Sequence, residues 1–277
     1  LKEEIEIMRH YAPYIEQERK AAERAKLDEK IAILHAQSKF SSAGVPRLGI
    51  PELWTSDGPH GVRSEVMWDE WYQAGWTNDS IVAFPALTCL AATWNTEMSA
   101  LYGKSVGEEA RYRNKNVLLG PGVNIYRTPL GGRNFEYMGE DPYLSSKMVV
   151  PYIRNVQKNG VATCVKHFAL NNEETWRHET DVEISDRALY EIYLPAFKAL
   201  VKKANVREVM CAYNRYEGQP CCASDRLLVD ILRRKWNYDA IVLTDCDAIN
   251  NFYNKGQHET HPGPLEASVD AVLNGTD

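Results

Sequence analysis

The sequence predicts an α/β protein of the (β/α)8-type barrel class, incomplete at its C-terminal end and preceded by an N-terminal helical extension. Three observations predict it. From Leu48 onward, short apolar runs bounded by Gly, Pro, Asn or Asp alternate with segments of 3.6-residue periodicity. Most of those runs are almost continuously apolar, as expected where a parallel strand is covered on both faces. No linker interrupts the stretch 48–277, and neither GxGxxG nor GxxxxGK[ST] occurs to support an open nucleotide-binding sheet.

The elements follow in order. Residues 1–40 are rich in Glu, Lys, Ala and Ile at helical spacing and are broken at Pro13, which predicts a helical segment of two helices ahead of a barrel over 41–277. Strands are expected at 48–54, 83–91, 116–123, 161–170, 207–213 and 239–245. Asn95 is placed to cap a helix carrying Met98, Leu101, Tyr102 and Val106, and Asp141 with Pro142 opens another that stops near Gly160. Ser185 precedes the apolar face Leu189, Ile192, Tyr193, Phe197 and Leu200, and Ser224 precedes Leu227, Leu228, Ile231 and Leu232. A last helix from Pro264 to Leu273 runs into Asn274–Asp277, so a final strand is expected to be cut off.

Composition narrows the function. The chain has 277 residues, 44% hydrophobic and 25% charged, within the range of globular proteins. Its 32 Lys and Arg stand against 38 Asp and Glu, with no basic block to follow a phosphate backbone, so nucleic acid is not an expected partner. No run approaches the ~18 apolar residues of a membrane span, and the charged N-terminus does not read as a signal peptide. Six cysteines show no CxxC pair. Four lie in apolar runs such as VATCVKH and VMCAY and are expected to be buried thiols. Only the adjacent Cys221 and Cys222, in a polar loop, are expected to be oxidisable.

In a parallel barrel the active site is built at the C-terminal ends of the strands. Those ends are unusually polar: Ser56-Asp57-Gly58-Pro59-His60-Gly61-Val62-Arg63, then Gly131-Gly132-Arg133-Asn134-Phe135-Glu136, Lys166-His167, Met210 with Tyr213-Asn214, and Thr244-Asp245-Cys246-Asp247. Each has an ordinary reading on its own. Asp57 suits a turn, Arg133 a surface bridge to Glu136 or Asp141, Lys166-His167 a solvated strand end, and His60 a packed or capping position. Together they place several ionisable groups in one rim, which costs desolvation energy unless a ligand uses them. The types suit sugar chemistry: carboxylates accept from hydroxyls, while Arg, Lys and His donate to oxygens. Trp54, Trp68 or Trp71 is expected to cover the apolar face of a ring. Asp245, flanked by cations, is expected to keep a low pKa and act as a nucleophile, oriented by Tyr213.

These stretches, SDGPHGVR, FPALTCLAATWN, GPGVNIYRTPLGGRNFEYMGEDP, CVKHFALNNEE, MCAYNRYEGQP and VLTDCDAI, closely resemble the N-terminal TIM-barrel domain of family 3 glycoside hydrolases, β-glucosidase branch, from about Leu27 to the last residue. The resemblance implies that Asp57 and Arg63 grip the outer hydroxyls of a terminal sugar and that Arg133, Lys166 and His167 hold the others. It further implies that Met210 and Tyr213 lie beside the anomeric carbon and that Asp245 is the nucleophile of a retaining β-glucosidase. No metal or organic cofactor is required, and His258-Glu-Thr-His261 lacks the spacing of HExxH. A periplasmic or secreted setting is implied, with a carbohydrate substrate, no membrane and no nucleic acid as partner.

Three departures from the family pattern stand out. Cys246 follows the nucleophile where β-glucosidases usually carry Trp, as in xylosidase-like relatives. The helix over 2–26 has no functional account. In two-domain relatives the acid/base glutamate lies in a following domain, so a second domain or chain is expected to complete the site. Within this chain Glu173, Glu174 and His178 are the candidates, His178 by analogy with single-domain β-N-acetylglucosaminidases. A β-xylosidase, a single-domain β-N-acetylglucosaminidase-like hydrolase, or a non-catalytic sugar-binding fragment that needs a partner domain is the alternative.

Overall fold

The structure, a computed structural model, describes residues 20, 23–64 and 80–277. Along the described chain run β1 (Ala36–Ser38), β2 (Ser41–Ser42), β3 (Leu53–Asp57), β4 (Val117–Leu119), β5 (Ala162–Phe168), β6 (Asp181–Val182), β7 (Glu208–Cys211), β8 (Arg215–Tyr216), β9 (Gln219–Pro220) and β10 (Ile241–Thr244). Seven of them form a sheet in the order β1-β2-β3-β4-β5-β7-β10. From β3 to β10 every pairing is parallel, and β1 and β2 add an antiparallel edge. The sheet curls into a half-barrel of the TIM-barrel type. A small sheet, β6-β8-β9, stands apart from it.

The apolar strands are covered on both faces by simple alternation. Val117, Leu119, Cys164 and Met210, with Leu243 against them, point into the barrel beside Phe40. Leu118, Val165, Val209 and Val242 point outward into the main core beneath the helices.

The helices begin where the sequence places their caps. In α1 (Leu27–Ile33) the Glu29 carboxylate reaches back to the Lys26 N–H. After α2 (Leu87–Ala92), Asn95 accepts from the N–H groups of Glu97 and Met98 to open α3 (Thr96–Tyr112), and Asp141 does the same for Tyr143 and Leu144 in α4 (Pro142–Gln157). Such caps stabilise by about 1 kcal/mol each. Ser185 caps a run of short helical pieces over 186–204, and Ser224 caps α5 (Asp225–Lys235), which has the wide turns of a π-helix. α6 (Pro264–Leu273) closes the sequence of helices. Two glycines let α3 and α4 touch: a Cβ on Gly103 would lie 2.2 Å from the Tyr152 carbonyl oxygen, and one on Gly107 2.9 Å from Val156 Cα.

Four expectations need correction. The run 83–91 is not a strand: Leu87, Leu90 and Ala91 are buried at helical spacing in α2, so its apolar residues follow the 3.6 period. The helical reading of 1–40 fails at Ala36–Ser38, which is strand, and its portion before residue 20 lies outside the described residues. The first barrel strand starts at Leu53 instead of Leu48, because Pro46–Leu48 forms a 3-10 turn and Pro51 lacks the donor that a ladder needs. Cys211, expected to be a buried thiol, forms a disulfide with Cys222, while Cys221 is a buried free thiol. Cys89 is exposed.

Candidate active site

The charged strand ends converge. In β3, alternation carries Thr55 and Asp57 to one face, and the chain then turns sharply through Gly58 (φ 137) and Gly61 (φ 132). A Cβ on Gly58 would collide with the Gly61 carbonyl oxygen at 1.5 Å, so only glycine permits this turn. Lys166 continues the inward row of Ala162 and Cys164 on β5, and Asp245 continues that of Leu243 on β10. Strict alternation would aim His167 away from Lys166. A register irregularity between Val165 and Phe168 brings both consecutive side chains to the site.

The contacts are close. Lys166 Nζ lies 3.0 Å from Glu136 Oε1 and 3.6 Å from Asp57 Oδ1. Arg133 Nε donates to Glu136 Oε2 at 2.7 Å, and Arg133 Nη1 lies 3.7 Å from Glu174 Oε1. His167 Nε2 faces Asp245 Oδ2 at 3.6 Å. Tyr213 stands beside Asp245: its hydroxyl donates to the Cys246 carbonyl at 2.6 Å and also interacts with the Asp245 carboxylate, and burial, helped by that carboxylate's negative charge, raises the phenol pKa. Arg63 is held at the end of β3 by its N–H, which donates to Asp57 O and Ser56 Oγ, and its guanidinium lies 4.4 Å from the Phe40 ring centre. Met210 lies lower, within the inner apolar cluster.

Asp245 is 8% exposed. The Cys246 N–H donates to its Oδ1 at 2.8 Å, while Oδ2 has no hydrogen-bond partner. Its pKa is raised: burial outweighs the pull of Lys166, the Cys246 N–H, Arg133 and Arg177. The low pKa expected from flanking cations is thereby corrected, because desolvation is the larger effect. Burial also pushes His167 well below the ordinary imidazole value, with Arg133, Lys166 and Arg177 acting in the same direction, so His167 is a neutral ring. Tyr137 OH meets its Nδ1 at 3.2 Å.

Several participants escaped the sequence reading. Glu136, read only as half of a surface bridge, is buried between Lys166 and Arg133, and Asp141 is occupied as a helix cap. Asn124 clamps the backbone of His167, accepting from its N–H at 2.8 Å and donating to its carbonyl at 2.9 Å. Arg177 pairs with Glu174 at 2.7 Å and lies 4.6 Å from the Tyr213 ring centre. A buried Asn is a weak signal in sequence, but Arg and Glu three residues apart on a loop next to the invoked cations were readable.

Other expectations fall away from the site. Trp54 lies near the start of β3, three residues before Asp57, with Lys115 over its ring, so it cannot wall the strand ends; Trp68 and Trp71 lie outside the described residues. His60 packs against Phe135 with ring centres 5.5 Å apart. His258 and His261 flank the Phe252 ring, and among the described residues no group of three or more His, Cys, Asp or Glu could hold a metal ion. A surface cleft of about 480 Å³, lined by Tyr190, Glu217, Arg226 and Lys235 among others, lies on α5 away from the strand ends.

A half-barrel with a buried carboxylate at one strand end, ringed by Arg, Lys and His from its neighbours, defines a (β/α)-barrel domain with a polar small-molecule site. The chain belongs to glycosyl hydrolase family 3: residues 21–277 match the profile of the family's N-terminal domain. It is 61% identical over 238 residues to beta-glucosidase BoGH3A of Bacteroides ovatus, covering 86% of this chain and 32% of that protein. The structure is similar to that of a beta-glucosidase from Kluyveromyces marxianus in complex with glucose (TM-score 0.79, 34% identity, 94% of this chain and 28% of that one). It is also similar to that of the exo-beta-xylosidase XlnD of the same family (TM-score 0.82, 27% identity, 94% of this chain and 35% of that one). The chain spans about a third of the length of the curated relatives it matches.

Proposed function

We propose that this domain carries the sugar-binding half of a retaining β-glucosidase, which releases terminal non-reducing β-D-glucosyl residues through a glycosyl-enzyme on Asp245. The observation that carries the reading is the Asp245 carboxylate itself. It is buried, one oxygen lacks a partner, and His167, Lys166, Arg133 and Arg177 surround it. Such an oxygen is available to attack a carbon that becomes cationic in the transition state; the negative charge of the carboxylate stabilises that carbon, while Lys166, Arg133 and Arg177 favour the ionised carboxylate against its burial. Asp57, Lys166, Arg133 and His167 are disposed to bind the hydroxyls of the same ring, with Arg63, Met210 and Tyr213 as its further contacts.

Retention needs a second carboxyl about 5 Å from the first to protonate the leaving oxygen. Glu174 is engaged with Arg133, Asn171 and Arg177, and Glu173 is exposed. His178 is held between Asn251 and Arg177, and burial, aided by the Arg177 charge, lowers its pKa, which does not favour a proton donor. We therefore assign the donor to a domain or chain beyond these residues, in keeping with the greater length of the relatives.

A 2-fluoro-glucoside with a good leaving group needs little acid assistance, so slow labelling of Asp245, read by peptide mass spectrometry, is expected. Label on another carboxylate, or none on a folded chain, would sink the assignment. Cys246 after the nucleophile, together with the similarity to XlnD, favours β-xylosidase as the second reading. A 2-fluoro-xyloside that labels faster than the glucoside would select it.

A further inference from the structure

We propose that Glu136 is a positioning residue for the sugar site: its two carboxylate oxygens hold Lys166 and Arg133 in one array beside Asp245. The proposal rests on the glycosidase reading above and adds to it a residue that does not itself touch the sugar.

Glu136 ends the short turn Asn134–Glu136 that follows β4, and it is 6% exposed. Lys166 reaches it from β5 at 3.0 Å on one oxygen, and Arg133 reaches the other at 2.7 Å. The buried Lys166 and the half-buried Arg133, like charges on separate elements, repel each other, and an anion between them fixes their separation. Charge alternates around the rim as Asp57, Lys166, Glu136, Arg133, Glu174 and Arg177. Without Glu136, among the described residues Lys166 keeps only Asp57 at 3.6 Å and Arg133 only Glu174 at 3.7 Å as carboxylates within 4 Å. Both side chains would then swing with their long stems, at the cost of the hydroxyl contacts they are placed to make.

The electrostatics agree with this geometry. Burial alone would raise the Glu136 carboxyl, yet Lys166 and Arg133 bring it down to about 2. Burial opposes the Lys166 charge, yet Glu136 and then Asp57 raise its pKa above the ordinary lysine value. The groups that face this pair are Asp57 from β3, His60 from the following turn, Arg133 and Tyr137 beside Glu136, Cys164 from β5, and Asp245 with Cys246 after β10. Of these anions Glu136 is the nearest to Lys166 and has the largest effect on it.

Two titrations of the wild-type chain, Glu136→Gln and Glu136→Asp test the proposal, with thermal unfolding as the check on the fold. Calorimetry with glucose across neutral and alkaline pH is expected to show affinity at least tenfold weaker in Glu136→Gln at neutral pH. That variant should also lose binding at lower pH than the wild type, because Lys166 sheds its proton earlier. Glu136→Asp keeps the charge and should keep the wild-type pH limit. NMR of the Lys166 Cε, which needs no sugar, should show the ammonium midpoint lower in Glu136→Gln by a unit or more. Wild-type affinity in Glu136→Gln, or a loss of the same factor at every pH with an unmoved Lys166 midpoint, overturns the proposal. If Glu136→Gln does not fold, Glu136→Asp decides: its shorter arm must weaken glucose binding at least tenfold, and unchanged affinity refutes the array. A wild-type chain that binds neither glucose nor gluconolactone refutes the glycosidase reading instead, while the lysine midpoint still reports on the array.

Discussion

Glu208 offers a direct test of the electrostatics inside the barrel. It sits on β7 with Cys164 of β5 and Ile241 of β10 as its lateral neighbours, is 5% exposed, and has one carboxyl oxygen without a hydrogen-bond partner. Burial pushes its pKa from 4.5 up to about 7, opposed only by a hydrogen bond from Cys164. A folded-state pKa above the unfolded one means that the folded chain holds the proton more tightly. Below pH 4.5 both states are protonated and no penalty arises. As pH rises from 4.5 to 7 the unfolded chain gives up its proton first, so stability falls, and above pH 7 the full loss persists. At about 1.4 kcal/mol per pH unit over this interval, the loss is about 3 kcal/mol. Glu208→Gln removes the ionisation and keeps an acceptor for the thiol. Urea unfolding of both proteins at about pH 4.5 and pH 8 measures the difference, with the slope as a check that the surface exposed on unfolding is unchanged. The variant should gain about 3 kcal/mol on the wild type between the two pH values. A stability difference that is the same at both would refute the claim that Glu208 is buried without a counter-charge.

Two further outcomes follow from the contacts. Cys222→Ser opens the Cys211–Cys222 bridge across a sequence separation of 11, which should lower the unfolding free energy by about 3 kcal/mol on loop-closure grounds; reductant should then lower the urea midpoint of the wild type and leave the variant unmoved. Asn124→Ala strands the N–H and carbonyl of His167 in a buried setting, so it should cost about 2–4 kcal/mol of stability in denaturant unfolding and weaken glucose binding in calorimetry, whereas an exposed Asn such as Asn254 changed to Ala should do neither.

Local signals settled much of this architecture. Asn95, Asp141, Ser185 and Ser224 mark helix starts because a cap acts on N–H groups only two or three residues away. Lys166 and Asp245 were legible as strand ends because each follows an almost continuously apolar run of the kind a parallel strand covered on both faces requires. The short apolar run at 83–91 was misread, since a buried helix turn and a buried strand look alike at that length. Glu136 was visible in GGRNFE, yet nothing local separates an exposed bridge from a buried one.

The amino-acid order by itself therefore determined the barrel class, the capped helices and the polar strand ends, because each depends on neighbours within a few residues. Tertiary structure alone decided which cysteine pairs with Cys211, that Asn124 grips His167, and that burial outweighs the cations around Asp245. Those outcomes depend on distances between segments far apart in the chain and on how much water their packing removes, and neither quantity is written in any short stretch of sequence.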